Sequence, residues 1–547
     1  MKKYISAKKY DKKLLLLFFI ALFLRIYKLG TFPIGFHADE ARVGWNAFSI
    51  LKTGFDDRGN ILSLYYNTFG DFRPTGIFYL TIPSIFILGL NEFAVRFPSS
   101  LLGAMSIFPL YLLAKELQTD KKIPYLAAFF IAVSPWHISV SRATSEVAIS
   151  MFFVLFALYF FTTFLKKNSK KHFALTIVFF LISYFFYHSA RVLVPAFVAV
   201  LLASKWVKIK NVKIKKVGLF ILGFLSLITL LLATNKEARG RFTQVSVFHD
   251  LDIKHELSRM PFEEGPNNIF VARLFHNKPL VYARRFVKEY SNYFSANFIL
   301  GDEGKPQRYM TPGIGVLTYL EGVFLVLGLL HIAKTKDLPI PLLLLMVAPF
   351  AAALTTEDAP NLHRSFYMIP FISIIQSYGV TLFGKYKKYS KMALYTLTSL
   401  LLLNLIFYFH MYYTHAKYTI AQSRSYGAKQ LAETVNSVRE NYDQIVFTNI
   451  PDDPYPWLAF FGKYDPSTFN KSAIFREHGV WTHNNMVFSG QRCPSRDIFT
   501  APTTSKIMVV DAEGCSTESN LNSRDDVWIL KEIKRPDESV VFTLWTN

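Results

Sequence analysis

What most restricts this chain is how its apolar residues arrive, in blocks of about 17–25 with short polar segments between them, over most of residues 14–413. A block of that kind has few polar side chains to offer water, and wound as a helix it matches the roughly 30 Å hydrocarbon layer of a bilayer. Candidate spans fall at 14–30, 98–117, 123–140, 147–165, 173–188, 191–204, 217–233, 312–333, 338–354, 363–383 and 392–413, about eleven in all. The stretch 173–204 reads as two short helices or one broken helix, because His188, Arg191 and Pro195 interrupt it. The expected class is a polytopic α-helical membrane protein.

The connecting segments sort by charge. "MKKYISAKKYDKK", "TDKK", "KKNSKKH", "KWVKIKNVKIKK", "KTKD" and "GKYKKYSK" fall at alternate ends of the spans, are rich in Lys and contain no Arg. By the positive-inside rule these are cytoplasmic, with the N-terminus inside and, after eleven spans, the C-terminus outside. The formal charge of +22 then needs no nucleic acid as partner, since much of it sits in short loops beside anionic lipid. The first apolar run has basic flanks but continues into "LRIYKLGTFP" without a small-residue cleavage site, so it reads as a retained anchor.

Three larger pieces are left for the outer side: loops 31–97 and 234–311, and a tail, 414–547, long enough to fold alone. The expected domains are thus a membrane module, 1–413, and an extracytoplasmic α/β domain, 414–547. In the tail "YGAKQLAETVNSVREN" has helical spacing, while "QIVFTN", "SKIMVVDA", "DVWILKEI" and "VVFTLW" read as strands. Both cysteines, Cys493 and Cys515, lie there; outside the cytoplasm a disulfide is the expected state, two unpaired structural thiols the alternative. No CxxC, HExxH, GxGxxG or P-loop pattern occurs, and no internal repeat.

The first outer loop opens on "TFPIGFHADEARVGWNAFSI", with adjacent carboxylates Asp39 and Glu40. Read locally, Asp39 caps a short amphipathic helix and Glu40 sits in its first turn, where the helix dipole favours a negative charge. Val43, Ala47, Ile50 and Leu51 share an apolar face, and Trp45 is placed at headgroup depth. A capping role and a chemical role are compatible.

The order of the whole region adds to this. The carboxylate pair is followed by the polar turn "DDRGN", then by "FRPTGIFYLTIPSIFILGLNEFAVRFPSSLLGAMSIFPLYLLAKEL", and later by "SPWHISVSRATSEVAISMFF", "YHSARVLVPAF", "YFSANFILGDEGKPQRYMTPGIGVLTYLEG" and "NLHRSFYMIP". Over about residues 12–415 this resembles the GT-C glycosyltransferases of the protein O-mannosyltransferase and lipid A aminoarabinose transferase type, which carry an Asp-Glu motif in the first external loop. Two departures stand out: Arg73-Pro74-Thr75 where many relatives have a His-Pro-Pro-like sequence, and Glu146 where an Asp is common.

The resemblance implies transfer of a sugar from a polyprenyl-phosphate donor to an acceptor hydroxyl outside the membrane, where charged sugar nucleotides do not reach. It implies a single in-line displacement that inverts the anomeric carbon, with Asp39 as general base and Glu40 orienting it or the acceptor. The phosphate leaving group calls for fixed positive charge, and Arg suits it because its fork donates two hydrogen bonds and stays ionised. The candidates are Arg191 with His188 and Arg364 with His363, pairs that interrupt apolar helices; Arg142, unless it pairs with Glu146 one turn on; and Glu146 itself, toward the acceptor. Arg96 beside Glu92 reads as structural. No metal or other cofactor is required on this reading, although His37, Asp39, Glu40 and Glu146 are ligand types a divalent ion accepts. The expected partners are the lipid-linked donor, a glycan, lipid or protein acceptor, and the bilayer. A transporter is disfavoured by charges gathered at one face without matching halves, and a lipid-linked glycan polymerase or ligase by the first-loop acidic pair.

Overall fold

The computed structural model describes residues 11–547 apart from 69–70, 236, 238, 240–243, 266–267, 336–338, 384–389, 449–453, 476–480, 501–503, 516–520 and 522–523. The basic segment 1–10 and most of the Lys-rich loop at 384–391 lie outside the described residues.

Each apolar block is helical. Among the described residues, five helices are long and apolar enough to cross a membrane: Glu92–Leu117, Glu146–Lys167, His188–Lys205, Val212–Thr234 and Tyr395–Thr419. A sixth span is available if Ile123–Val133 and Pro135–Arg142, bent by 53° at their junction, count as one. The other blocks wind shorter helices: α1 (Lys12–Ile26), Lys170–Phe186, Tyr319–Ala333, Ile340–Ala353 and Phe366–Leu382. Local chemistry explains the shortening. In block 312–333, Pro312, Gly313 and Gly315 hold off the helix until Thr318 and Glu321 form a reciprocal capping box that starts it at Tyr319.

The chain divides into two compact units. The first comprises Met1–Tyr27, Leu64–Gly76 and Ser99–Met411; the second comprises Lys28–Ser63, Ile77–Pro98 and Tyr412–Asn547. The tail therefore folds together with most of the first outer loop, where the sequence suggested two contiguous domains.

In the first unit, two buried arginines tie helix ends together. Arg142 donates to the carbonyls of Leu24, Arg25 and Tyr27 at the C-terminal end of α1, at 2.8–3.1 Å. Arg25, on α1, donates to the carbonyls of Ile131 and Ala132, at 3.0 and 2.9 Å, where the helix Ile123–Val133 ends. Each guanidinium thus satisfies carbonyls that a helix terminus leaves without partners and sits where the dipole favours a cation. The stretch 173–204 is two helices, Lys170–Phe186 and His188–Lys205, separated by the single extended residue Tyr187.

In the second unit, helix α2 (Ala38–Thr53) lies against the helix Tyr455–Gly462. Gly44 permits the approach, since a Cβ there would come within 2.4 Å of the Phe460 ring. Trp45 is fully buried, its Nε1 donating to Asn470 Oδ1 at 3.1 Å, and Trp457 Nε1 donates to the Phe36 carbonyl at 2.8 Å. Trp45 is therefore a packing residue of this unit and not a headgroup anchor. The tail carries a seven-stranded mixed sheet of β3 (Gln444–Phe447), β4 (Ala473–Phe475), β5 (Trp481–His483), β6 (Met486–Phe488), β7 (Ile507–Ala512), β8 (Trp528–Lys534) and β9 (Val540–Thr546), in the order β4-β5-β6-β3-β7-β9-β8; β1 (Tyr65–Thr68) and β2 (Asp71–Pro74) form a hairpin in the first unit. β3 runs parallel to both neighbours, and the other pairings are antiparallel. Cys493 and Cys515 form a disulfide with a Cα–Cα distance of 5.6 Å.

Candidate active site

The Asp-Glu pair opens α2, but the N-cap is His37. Its Nδ1 accepts from the Asp39 amide at 3.2 Å while Glu40 Oε2 accepts from the His37 amide at 3.2 Å, a capping box. Asp39 is therefore inside the first turn and not the cap. The two carboxylates have different surroundings. Asp39 keeps about a quarter of its side chain exposed, with Arg42 Nη1 at 3.7 Å and His37 Nδ1 at 3.5 Å.

Glu40 is enclosed. Arg96 donates to it from Nε at 2.9 Å and Nη2 at 3.1 Å, and Arg424 donates to Oε2. Arg96 also reaches the carbonyls of Leu29 and Gly35, and Arg424 that of Ile34. Burial pushes the Glu40 carboxyl toward its neutral form, but the guanidiniums of Arg424 and Arg96 outweigh that and hold its pKa down at about 2. Arg96 is structural, as expected, yet its partner is Glu40; Glu92 pairs instead with Lys429 at 2.6 Å. Sequence proximity favoured Glu92, while the long-range partner had no local signal.

The remaining candidates belong to the first unit. His188 Nε2 faces the Phe72 carbonyl at 3.0 Å, so it carries the proton, and Nδ1 is left to accept from Arg191 Nη1 at 3.0 Å. Arg191 also donates to the Tyr184 carbonyl at 3.3 Å and lies over the Tyr65 ring, 5.2 Å from its centre. Its buried Nε has no hydrogen-bond partner among the described residues. His363 gathers a second group: Nε2 lies 3.0 Å from Ser145 Oγ and 3.9 Å from Glu146 Oε2, Nδ1 lies 3.1 Å from Tyr187 Oη, and Tyr309 stacks on the ring at 5.1 Å.

His188 and Arg191 thus come together, as do Glu146 and His363. The guanidiniums of Arg142 and Arg364 have other partners. Arg142 is spent on the end of α1, and Arg364 on Glu357 and Thr355, at 2.5–2.9 Å. Both guanidiniums, which the sequence offered as phosphate ligands, thus hold protein carbonyl, hydroxyl or carboxylate groups. Sequence reasoning missed Tyr187, Tyr309 and Arg424. The first two lie inside quoted motifs, where a hydroxyl beside a helix break was the available clue; Arg424 carried none.

Among the described residues no group of three or more His, Cys, Asp or Glu gathers as metal ligands. Glu40 fits a cation poorly, because two guanidiniums already occupy its oxygens.

Comparison with known proteins gives the setting. Residues 73–231 match the model of the family described as dolichyl-phosphate-mannose-protein mannosyltransferase. An uncharacterized protein of Aquifex aeolicus (strain VF5) is 27% identical over 175 residues, 30% of this chain and 32% of that one. The match thus spans about a third of this curated relative. Among solved structures, ArnT from Cupriavidus metallidurans bound to undecaprenyl phosphate superposes with a TM-score of 0.52 at 11% identity, over 97% of this chain and 96% of that one. The archaeal oligosaccharyltransferase AglB from Archaeoglobus fulgidus, in complex with an inhibitory peptide and a dolichol-phosphate, gives 0.47 at 14% identity over 82% of this chain and 63% of that one. The resemblance to GT-C glycosyltransferases read from the sequence holds, in the family model over 73–231 and in fold through ArnT.

Proposed function

We propose that this chain is a membrane glycosyltransferase that moves a sugar from a polyprenyl-phosphate donor to an acceptor hydroxyl, with inversion, and that Asp39 is its general base. The observation that carries the reading is the split between neighbouring carboxylates. Glu40 is buried, ionised and held by two guanidiniums, so it is fixed in place and unavailable to move a proton. Asp39, one residue earlier on the same rigid turn, is accessible. Two acids driven into different environments are a common way to divide positioning from proton transfer. Glu40 is then a positioning residue, and Asp39 takes the hydroxyl proton as the acceptor oxygen attacks the anomeric carbon and the phosphate departs.

For the phosphate we assign Arg191, whose Nε is left over in a buried setting, with His188 holding it. Glu146, beside His363, would orient the acceptor. Arg142 and Arg364 are left out, because their guanidiniums are committed elsewhere. The scheme assigns no metal to Glu40, whose oxygens two guanidiniums already occupy. One neighbour supports a lipid-phosphate donor: ArnT is bound to undecaprenyl phosphate. The Lys-rich loops argue for a cytoplasmic N-terminus and an outer face for the acidic pair.

The test is purified full-length protein incubated with a panel of polyprenyl-phosphate sugars and candidate acceptors, reading donor consumption and release of polyprenyl phosphate. Turnover of at least one donor is expected. Inertness toward the whole panel, with binding of none, would overturn the assignment.

A further inference from the structure

The segment between Val212–Thr234 and Tyr319–Ala333 includes three helices, Leu251–Glu264, Ile269–Phe275 and Lys278–Asn292, that bury one set of apolar side chains and leave another uncovered. Val247, Ile253 and Val281 form a small core, with Leu257 and Tyr282 packed against it. The helix Ile269–Phe275, "IFVARLF", buries only Ala272; Phe270 is 78% exposed, and Phe262, just before it, 85%. Ile269, Leu274 and Phe275 are more than half exposed as well.

This exposure is not that of a loose strand of chain. His276 Nε2 lies 2.9 Å from Glu264 Oε1, tying the end of the short helix to the end of its predecessor, and Asn277 donates to the Arg273 and Leu274 carbonyls at 3.0 Å. A helix held rigidly with apolar residues on nearly every side needs an apolar medium around it. The same segment is anchored at the end of an apolar helix: Tyr290 Oη donates to the Met346 carbonyl at 2.6 Å, and the Phe286 ring packs on Phe350, 5.0 Å away. Exposed Arg273 and Lys278 flank the apolar patch, a pairing of apolar and cationic groups that matches an anionic bilayer surface.

We propose that Ile269–Phe275 is an interfacial helix, seated in the leaflet next to it with Phe270 and Leu274 at the acyl boundary and Arg273 and Lys278 against lipid phosphates. The occupant of the patch is lipid, not a second copy of the chain or an acceptor. This does not depend on the transferase reading.

Because the native cysteines are joined to each other, a single Phe270→Cys substitution in the full chain gives one reactive thiol for an environment-sensitive fluorophore. An Asp525→Cys variant, at an exposed polar position, is the reference. In vesicles of phosphatidylcholine with one-third phosphatidylglycerol, lipid bearing a shallow spin label should quench the probe at 270 severalfold more than the probe at 525, and iodide severalfold less. Removing the anionic lipid should weaken quenching at 270. Equal access of iodide to the two sites would mean the patch is in water, and protection at 270 from both quenchers would mean protein covers it. Indifference to anionic lipid would remove the cationic part. Any of these results overturns the proposal.

Discussion

The Arg96 guanidinium meets the Glu40 carboxylate with two of its nitrogens, Nε to Oε1 at 2.9 Å and Nη2 to Oε2 at 3.1 Å. Such a two-pronged pair fixes orientation as well as distance, and Arg424 adds a second guanidinium from the tail. Three stretches of chain that are far apart in sequence are thereby joined at the first turn of α2.

This pairing makes stability acid-sensitive with a defined sign. Folding lowers the Glu40 pKa from 4.5 to about 2, so its contribution, about 3 kcal/mol by linkage, is complete above pH 4.5 and is lost as the pH falls toward 2. Glu40→Gln should lower stability at neutral pH by about 3 kcal/mol or more, because two buried guanidiniums lose their anion, and should flatten the acid dependence between pH 4.5 and 2. Thermal melts of parent and variant in detergent across that range measure both effects. Unchanged melting at pH 7 would show that the pair is not holding this turn.

Arg142 separates a structural from a ligand role. Its three carbonyl partners at the end of α1 would be stranded in Arg142→Ala, which should cost about 2–4 kcal/mol of stability while leaving KM for the donor within about twofold in protein that remains folded. A large rise in KM at parental melting temperature would return Arg142 to the phosphate.

The tail offers a redox test. The Cys493–Cys515 bond closes a loop with a sequence separation of 22, worth about 3 kcal/mol in the chain-entropy account. Cys493→Ser/Cys515→Ser should lower the melting temperature of the protein, and reductant should lower that of the parent but not of the double variant. Two free thiols in non-reducing peptide maps would contradict the bond.

Much of this fold is written in local pattern. The apolar blocks became helices, and "QIVFTN", "SKIMVVDA", "DVWILKEI" and "VVFTLW" became β3, β7, β8 and β9. β4, β5 and β6 escaped notice because three residues each are too few for a period to register. The amphipathic pattern of α2 was legible, but not what its apolar face meets: Trp45 looks the same whether it faces headgroups or Asn470. In the candidate site, the acidic pair and the His-Arg motifs could be found as residue types with a purpose. Their partners could not, since the pairing of Glu40 with Arg424 spans 384 residues and depends on the folded tail. Arg142 and Arg364 were indistinguishable from ligands in sequence because helix ends and loop carbonyls attract the same guanidinium that a phosphate does.

The decisive substitution is Asp39→Asn. Because His37 is the cap and Glu40 completes the box, the helix start does not rely on the Asp39 side chain, and Asn preserves its shape. Folding should be close to parental, while transfer falls by about 10²-fold or more, the usual scale for a positioned general base. The control must avoid the loop's other acids: Asp56 accepts from the amides of Arg58 and Asn60 and holds the 56–60 turn, and Asp57 is buried. Asp525→Asn, exposed in the same unit, removes a charge without such a role and should leave the rate unchanged. Glu40→Gln supplies the complementary case, in which loss of rate should track loss of folded protein. If Asp39→Asn, folded like the parent, transferred sugar at the parental rate, the proton would have another destination and the division of labour between the two carboxylates would be wrong.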